Sequence, residues 1–443
     1  MYISINMNFD YKNILIMGYG RSGEAVEEIV KKLEVNYKIY DAEKKITGGN
    51  YYSKLSKKII RDFDLLVLSP GISIYNKYVV YAERIGIKVV GELEFGYWFT
   101  SSPILAVTGT NGKTTTVRLL NDMVATTYES GAFGNIGVPL SEGYNQKLDY
   151  MVCEVSSFQL ESTYSFKPYI SIILNIAEDH IDRHKSFENY ITCKMGLLKN
   201  CTEKSLVVLN ADDKIIMNRS EGITAKKYYI SKFGKVKGVY YLDGKIYENI
   251  SSNKVFMDMT NYDRFLPVLD DLLASILVGL LLKLDKEKIL YAIDNFELSK
   301  HRLQSVCKDK GVEYVDDSKS TNVHSTLNAL SCTKGGIVLL LGGEDKNLNF
   351  SKIFSAYGDR LKCVVAFGDA RKKIEKCAKQ NSFNNIISCR YFYDAVKYAC
   401  LSVSEGETVL LSPACASFDE FKSYAERGDR FFEIVKECVD AKK

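Results

Sequence analysis

Short apolar runs that stop at glycine, each followed by a stretch with apolar positions at helical spacing, recur along this chain. The first, NILIMGYGRSG from Asn13, leads into EAVEEIVKKLE and predicts a strand, a turn and a helix. A second strand, VNYKIY, ends near Asp41, and a third, DLLVLSPG, ends at Ser69, Pro70 and Gly71. After GELEFGYWF and a break over Thr100 to Pro103 the pattern restarts with ILAVTGTNGKTTTVRLLNDMV. It continues through the strands DYMVCEVSS and YISIILN, the acidic loop IAEDHIDRH, a helix beginning near Ser186, and the strand SLVVLNADD. From about Asn295 a third series appears, with strands in GVEYVDDSK, GGIVLLLGGEDK, LKCVVAFGD, IISCRYF and GETVLLSPACAS, each followed by a helical pattern. Strands alternating with helices predict an α/β fold of mainly parallel sheets flanked by helices, with ligands gathering at the carboxyl ends of the strands.

The chain has 443 residues, enough for about three domains at roughly 100–200 residues each. The restarts of the pattern place them at residues 1–99, 100–295 and 296–443. Apolar residues make up 46% and charged residues 26%, so each domain has the means to bury a core. The formal charge of +4 comes from intermixed acids and bases, which speaks against a nucleic-acid footprint. Eleven scattered cysteines with no CxxC pair fit reduced thiols better than a disulfide framework or zinc sites. No signal-like N-terminus is evident, and the longest uncharged apolar run, Leu272 to Leu282, is too short to span a bilayer. A cytoplasmic protein without membrane partners is the expectation.

Two glycine turns carry candidate chemistry. Gly18, Gly20 and Gly23 match G-x-G-x-x-G, with Asp41 about 20 residues on, as a Rossmann-like dinucleotide unit requires. The same pattern also serves plain strand-to-helix packing. The second turn is more specific: Gly109, Gly112, Lys113 and Thr114 form a phosphate loop, in which backbone N–H groups cradle phosphate, lysine supplies charge and a hydroxyl meets magnesium. A full Walker spacing would need glycine at Val107, so the loop is a shorter variant. Glu154, at the end of a strand, is the first carboxylate candidate for magnesium, or else a cap for the following helix. His180 and His184 flank the acidic loop, where a solvated histidine and a metal ligand are equally compatible with the pattern. Lys194 reads, on pattern alone, as one more solvated helix lysine. In the third series polar residues gather after strands: Asp317, Lys319, Thr321 and Asn322, then Lys346, then Ser412, Ser417 and Lys422.

Taken together, TGTNGKTT from Thr108, GNIGVPL from Gly134, EVSSFQLE from Glu154, LNIAEDHIDRH from Leu174, HR at His301, DDSKSTN from Asp316, LLLGGEDK from Leu339 and LSPACASFDEFKSYAERG from Leu411 resemble the Mur ligases, ATP-dependent amide-forming enzymes of peptidoglycan precursor synthesis. The resemblance covers nearly the whole chain. Neither DNPR nor a DYAHxP-like motif is present, which points to the branch that adds D-glutamate. It implies a Rossmann-like N-terminal domain for a UDP-linked substrate, a phosphate-loop central domain for ATP, and a dinucleotide-fold-like C-terminal domain for the incoming amino acid. The implied reaction joins D-glutamate to UDP-N-acetylmuramoyl-L-alanine through an acyl phosphate and a tetrahedral intermediate.

By the same resemblance Gly18, Gly20, Arg21, Ser22, Gly23, Asp41, Ser69, Asn135 and His180 would meet the UDP-linked substrate; family members often have a small apolar residue where this chain has Arg21. Gly109, Thr110, Asn111, Gly112, Lys113, Thr114 and Thr115 would hold ATP, joined by Asp271 and by Arg302, Asp317 and Lys319 of the last domain. D-Glutamate would meet Thr321, Lys346, Ser417 and Tyr424, the last through its backbone and at a position where phenylalanine is common. Lys113, Glu154, His180 and Lys194 form the implied catalytic set. Two magnesium ions, for which manganese is a possible substitute, would use Thr114, Glu154, His180 and Lys194, the lysine carrying a carbamate. A monomer is expected. Where the family usually has HNxxN to read adenine, this chain has Pro267, Val268, Leu269, Asp270 and Asp271, which leaves base selectivity open. Two other readings compete: a noncatalytic nucleotide-binding sensor derived from the ligase, and an NAD-dependent dehydrogenase built on the first glycine turn.

Overall fold

The computed structural model describes residues 9–44, 49–345 and 348–441. The chain forms two compact units. One takes in the described residues up to Asp263 together with Val268–Phe296; the other takes in Arg264–Pro267 and the described residues from Glu297 onward. Three sheets run through them, two in the first unit and one in the second.

The first sheet is five-stranded and parallel, in the order Tyr51–Tyr52, Asn36–Tyr40, Asn13–Met17, Leu65–Leu68, Lys88–Gly91. Leu65–Leu68 is buried along its whole length, as an apolar run in a two-sided parallel sheet must be. Helix Arg21–Lys32 covers one face through Ala25, Val26, Ile29 and Val30, apolar positions at helical spacing. Because Asn13–Met17 lies between Asn36–Tyr40 and Leu65–Leu68, the turns after Met17 and Leu68 open side by side. Strand order reverses there, which is where such sheets bind ligands.

The second sheet has nine strands. Ser130–Gly134, Tyr150–Glu154, Ile104–Thr108, Ile170–Ile173, Leu206–Asn210, Lys226–Ser231 and Gly238–Leu242 run parallel, and Lys245–Asn249 and Asn253–Asp258 add an antiparallel edge. The four strands from Lys226 to Asp258 were not anticipated from the sequence. Ile104–Thr108 sits between Tyr150–Glu154 and Ile170–Ile173, with Val107 opposite Glu154 and Thr108 opposite Ile173. This register brings the loop after Thr108 beside Glu154. Helices Lys113–Ala125 and Leu269–Leu281 pack together over the sheet, so the long apolar run is a buried core helix. Among the described residues no helix is long and apolar enough to cross a membrane.

The third sheet orders Gln304–Asp309, Val312–Asp316, Thr408–Ala414, Ile337–Gly342, Leu361–Phe367 and Ile386–Ser388, parallel except for the first. The antiparallel Gln304–Asp309 is a further strand that the sequence pattern did not reveal. All eleven cysteines are free thiols.

Candidate active site

At the crevice of the first sheet, Gly18 adopts φ +87°, and a Cβ on Gly23 would overlap the Gly18 carbonyl, so the turn and the close helix approach both demand glycine. The Ser69 hydroxyl donates to the Gly18 carbonyl at 2.9 Å and ties the two neighbouring loops together. Asp41 accepts from the Tyr19 N–H at 2.6 Å and from the Glu43 and Lys44 N–H groups at 2.9 Å. Gly20 precedes the helix, whose first residues are Arg21 and Ser22. The Arg21 guanidinium grips the Glu142 carboxylate through Nε and Nη2 at 2.7 and 3.0 Å.

The second glycine loop is a crowded polar centre. Gly112 has φ +87°, and a Cβ there would overlap the buried Asp271 carboxylate, which lies against the loop from the first turn of Leu269–Leu281. The Lys113 ammonium donates to the carbonyls of Gly109 and Thr110 at 2.8 and 3.0 Å. Lys194, on helix Phe187–Met195, donates to the same Gly109 carbonyl at 2.7 Å. It is 1% exposed and lies over the Tyr190 ring, so it is a core lysine rather than a solvated one. Burial, reinforced by the charge of Lys113, holds its amine well below the usual lysine range. Tyr190 in turn shares a hydrogen bond of 2.9 Å with Thr110 Oγ1.

Glu154 is buried, with one oxygen accepting from Thr114 Oγ1 and the other from Asn135 Nδ2, each at 2.8 Å. The helix after it is capped by Ser156 and Gln159 in a capping box, so capping is not what Glu154 does. Asn111 N donates to Asn175 Oδ1 at 2.8 Å, and Thr110 N to the Asn175 carbonyl at 2.9 Å, which fixes the loop from the neighbouring strand. Thr115 is buried and its Oγ1 has no protein partner.

The two histidines of the acidic loop separate. His180 sits in the left-handed region at φ 53°, with a side chain 43% exposed and a ring centroid 5.0 Å from that of Phe158. His184 is buried, with Nε2 at 2.9 Å from Ser157 Oγ and Nδ1 at 3.2 Å from Glu161 Oε1. Burial first, then nearby charges led by His180, pull its pKa down to about 4, so it is a neutral core histidine rather than a solvated one.

In the second compact unit, Asp317 is buried at the end of Val312–Asp316 and accepts from Ser412 Oγ at 2.7 Å and the Leu303 N–H at 3.3 Å. Burial pushes its pKa up to about 7. Arg302 has a buried Nε with no protein partner. The Lys319 ammonium lies 5.4 Å from the Tyr424 ring centroid, and the Tyr424 carbonyl accepts from Ser318 Oγ at 2.8 Å. Thr321 is half-buried, Asn322 caps helix Val323–Cys332, and Ser417 is buried with its carbonyl closing a turn on Phe421. Lys346 lies outside the described residues. His301 Nδ1 meets Asp316 Oδ2 at 2.6 Å.

The sequence reading missed Arg427, which is fully buried. Its guanidinium donates to Ser318 Oγ and O at 2.9 and 2.8 Å and to the carbonyls of Cys415 and Ala416 at 3.1 and 3.3 Å, tying the loops after two strands together. Its only signal was its place inside the block LSPACASFDEFKSYAERG.

Comparisons with known proteins bear on this geometry. Residues 107–269 match the Mur ligase middle domain, and residues 301–415 match the Mur ligase glutamate ligase domain. A UDP-N-acetylmuramoylalanine--D-glutamate ligase from Thermoanaerobacter sp. (strain X514) is 35% identical, covering 97% of this chain and 99% of its own length. The enzyme of that name from Clostridioides difficile (strain 630) is 32% identical over 97% of this chain and 99% of its own. Among solved structures, the MurF ligase of Thermotoga maritima in complex with ADP superposes with a TM-score of 0.61 at 16% identity, covering 98% of this chain and 96% of that one. A pseudomurein peptide ligase type C from Methanothermus fervidus gives 0.60 at 17% identity, covering 98% and 100%. These structural likenesses speak to the fold.

Proposed function

The chain belongs to the Mur ligase family, and from that premise we infer which of its residues carry the family's chemistry. It is an ATP-dependent ligase that adds D-glutamate to UDP-N-acetylmuramoyl-L-alanine in peptidoglycan precursor synthesis. The observation that carries the assignment of its centre is the convergence of Lys113, Thr114, Glu154 and Lys194 on one glycine loop.

In this reading the terminal phosphoryl group of ATP passes to the alanyl carboxylate, giving ADP and an acyl phosphate. The amine of D-glutamate attacks that carbonyl, the tetrahedral intermediate collapses, and phosphate leaves. Positioning and charge neutralisation dominate such a transfer. Lys113 and the N–H groups at the start of helix Lys113–Ala125 orient the phosphates, and the unpartnered Thr115 hydroxyl is a donor left for them. The hydroxyl of Thr114 and the carboxylate of Glu154 are hard oxygen ligands, the donor set that magnesium takes alongside phosphates and water. Magnesium, when bound, neutralises charge on the phosphates. The lowered pKa of Lys194 favours the neutral amine, the form that takes up carbon dioxide, and as a carbamate it would supply a further oxygen ligand. His180 would help to position a second ion.

The crevice of Gly18, Gly20, Arg21, Ser22, Gly23, Asp41 and Ser69, with Asn135, receives the UDP-linked substrate. By the family resemblance, Arg302, Asp317 and Lys319 are the residues proposed for nucleotide contact, and Thr321, Lys346, Ser417 and Tyr424 those proposed for D-glutamate. The buried, unpartnered Arg302 Nε is the feature that supports a ligand there. The enzyme works as a cytoplasmic monomer organised as three domains, residues 1–99, 100–295 and 296–443. Incubation with ATP, magnesium, UDP-N-acetylmuramoyl-L-alanine and D-glutamate, followed by mass spectrometry, should show the glutamyl product, with none from L-glutamate. Absence of that mass would refute the assignment.

A further inference from the structure

The four-residue helix Ile181–His184 directly follows His180 and is bracketed by two left-handed residues, His180 at φ 53° and Lys185 at φ 69°. Neither is glycine, so the turn occupies a conformation that side chains disfavour and that surrounding structure must impose. The restraint comes from outside the turn. Glu161, with a side chain 4% exposed, receives Arg183 Nη2 at 2.8 Å and His184 Nδ1 at 3.2 Å. Phe158 lies beneath the Arg183 guanidinium, 4.7 Å from ring centroid to Cζ, and its ring also meets that of His180.

Arg183 also reaches the first sheet. Its Nη2 donates to the Ile72 carbonyl at 2.9 Å and its Nη1 to the Gly71 carbonyl at 3.4 Å. These carbonyls belong to the loop that follows Leu65–Leu68 and begins at Ser69, the residue bonded to Gly18. One guanidinium thus joins the buried carboxylate of Glu161, at the end of helix Ser157–Leu160, to the loop beside the glycine crevice. A planar fork with several fixed donors is suited to this, and a lysine ammonium is not its equal.

We propose that Arg183 is a positioning residue that fastens the Ser69–Ile72 loop to the His180 turn, so that a UDP-linked substrate seated in the crevice and the histidine keep one fixed register. This rests on the reading of that crevice as the UDP-substrate site. Arg183 acts through the loop and the turn and needs no contact with substrate. Its loss should be felt on the substrate that uses the loop and in turnover, while nucleotide binding on the glycine loop at Gly109 is spared.

Steady-state kinetics of the full-length Arg183→Gln and Arg183→Lys variants test this. For Arg183→Gln, kcat/KM for UDP-N-acetylmuramoyl-L-alanine should fall about 10²-fold, the scale of an ångström-sized misplacement, through both a higher KM and a lower kcat. The KM for ATP should stay within about twofold, since uniform binding of ATP is untouched. Arg183→Lys should recover part of the loss. Equal rises in both KM values, or wild-type constants in both variants, would overturn the proposal. If Arg183→Gln fails to fold, the same split in the lysine variant decides. Calorimetric titration with the UDP-linked substrate separates the premises: a wild-type enzyme that does not bind it removes the crevice reading. A wild type that binds, beside variants that bind and turn over equally well, removes only the role of Arg183.

Discussion

Replacing Lys194 by methionine should make the protein more stable and at the same time disable it. The Nζ atoms of Lys113 and Lys194 each lie under 3 Å from the same Gly109 oxygen. Two unit charges about 5 Å apart repel by about 3 kcal/mol at an effective dielectric of about 20, before the desolvation of a buried ammonium is counted. Folding therefore disfavours the charged form of Lys194 and pulls its pKa down, a cost borne by the native state. Methionine has a similar length and no charge to lose. Against about 1 kcal/mol for the lost hydrogen bond to Gly109, the balance is a gain of about 2 kcal/mol in unfolding free energy. The sign of the pH dependence follows from the same shift. With the native value depressed below the unfolded one, the unfolded chain binds more protons in the window between them, so wild-type stability rises with pH there, and the full penalty is felt below the native value. Urea unfolding of both proteins in buffer free of carbon dioxide, from pH 6 to 10, reads the difference. The variant should unfold at higher urea and lack that rise, while its turnover falls by about 10²–10³, the usual loss when a charge-stabilising group is removed. A lower midpoint with an unchanged pH slope would refute the neutral-amine argument.

Three further outcomes are expected. Lys113→Ala should lower kcat by about 10²–10³, and near-normal turnover would reject its place on the phosphates. The pKa of Asp317, raised to about 7, means that the native state binds more protons than the unfolded chain between about pH 4 and 7, so stability falls as pH rises through that window, by about 4 kcal/mol in total. Asp317→Asn should flatten the fall in a pH series of denaturation curves, and an undiminished slope would place the effect elsewhere. A carboxylate at Asp271 accepts hydrogen bonds but cannot donate them, so Asp271→Asn should raise the preference for ATP over GTP by about tenfold, one hydrogen bond's worth. A competition assay measures this, and an unchanged ratio would detach Asp271 from the base.

What the sequence made legible were features written in adjacent residues. The buried parallel strands Leu65–Leu68, Ile104–Thr108 and Ile337–Gly342 are continuous apolar runs, and the turns after Asn13–Met17 and Ile104–Thr108 announce themselves by glycine. The strands Lys226–Ser231, Lys245–Asn249 and Asn253–Asp258 did not stand out, because they are short, polar and only partly buried, so no apolar run marks them. Side-chain environments were harder still. Lys194 and His184 carry residue types that usually face water, and what buries them is Tyr190 and Glu161, brought near by the folding of separate elements. Arg427 and Arg183 lie inside recognisable motifs, but their acceptors include backbone carbonyls far away in the chain, and no spacing rule encodes those.

The most direct test is phosphate release by purified enzyme with ATP and magnesium, with UDP-N-acetylmuramoyl-L-alanine and D-glutamate omitted in turn. Sustained release only when both are present is predicted. Release indifferent to either acceptor, or no release with the complete mixture, would contradict the account.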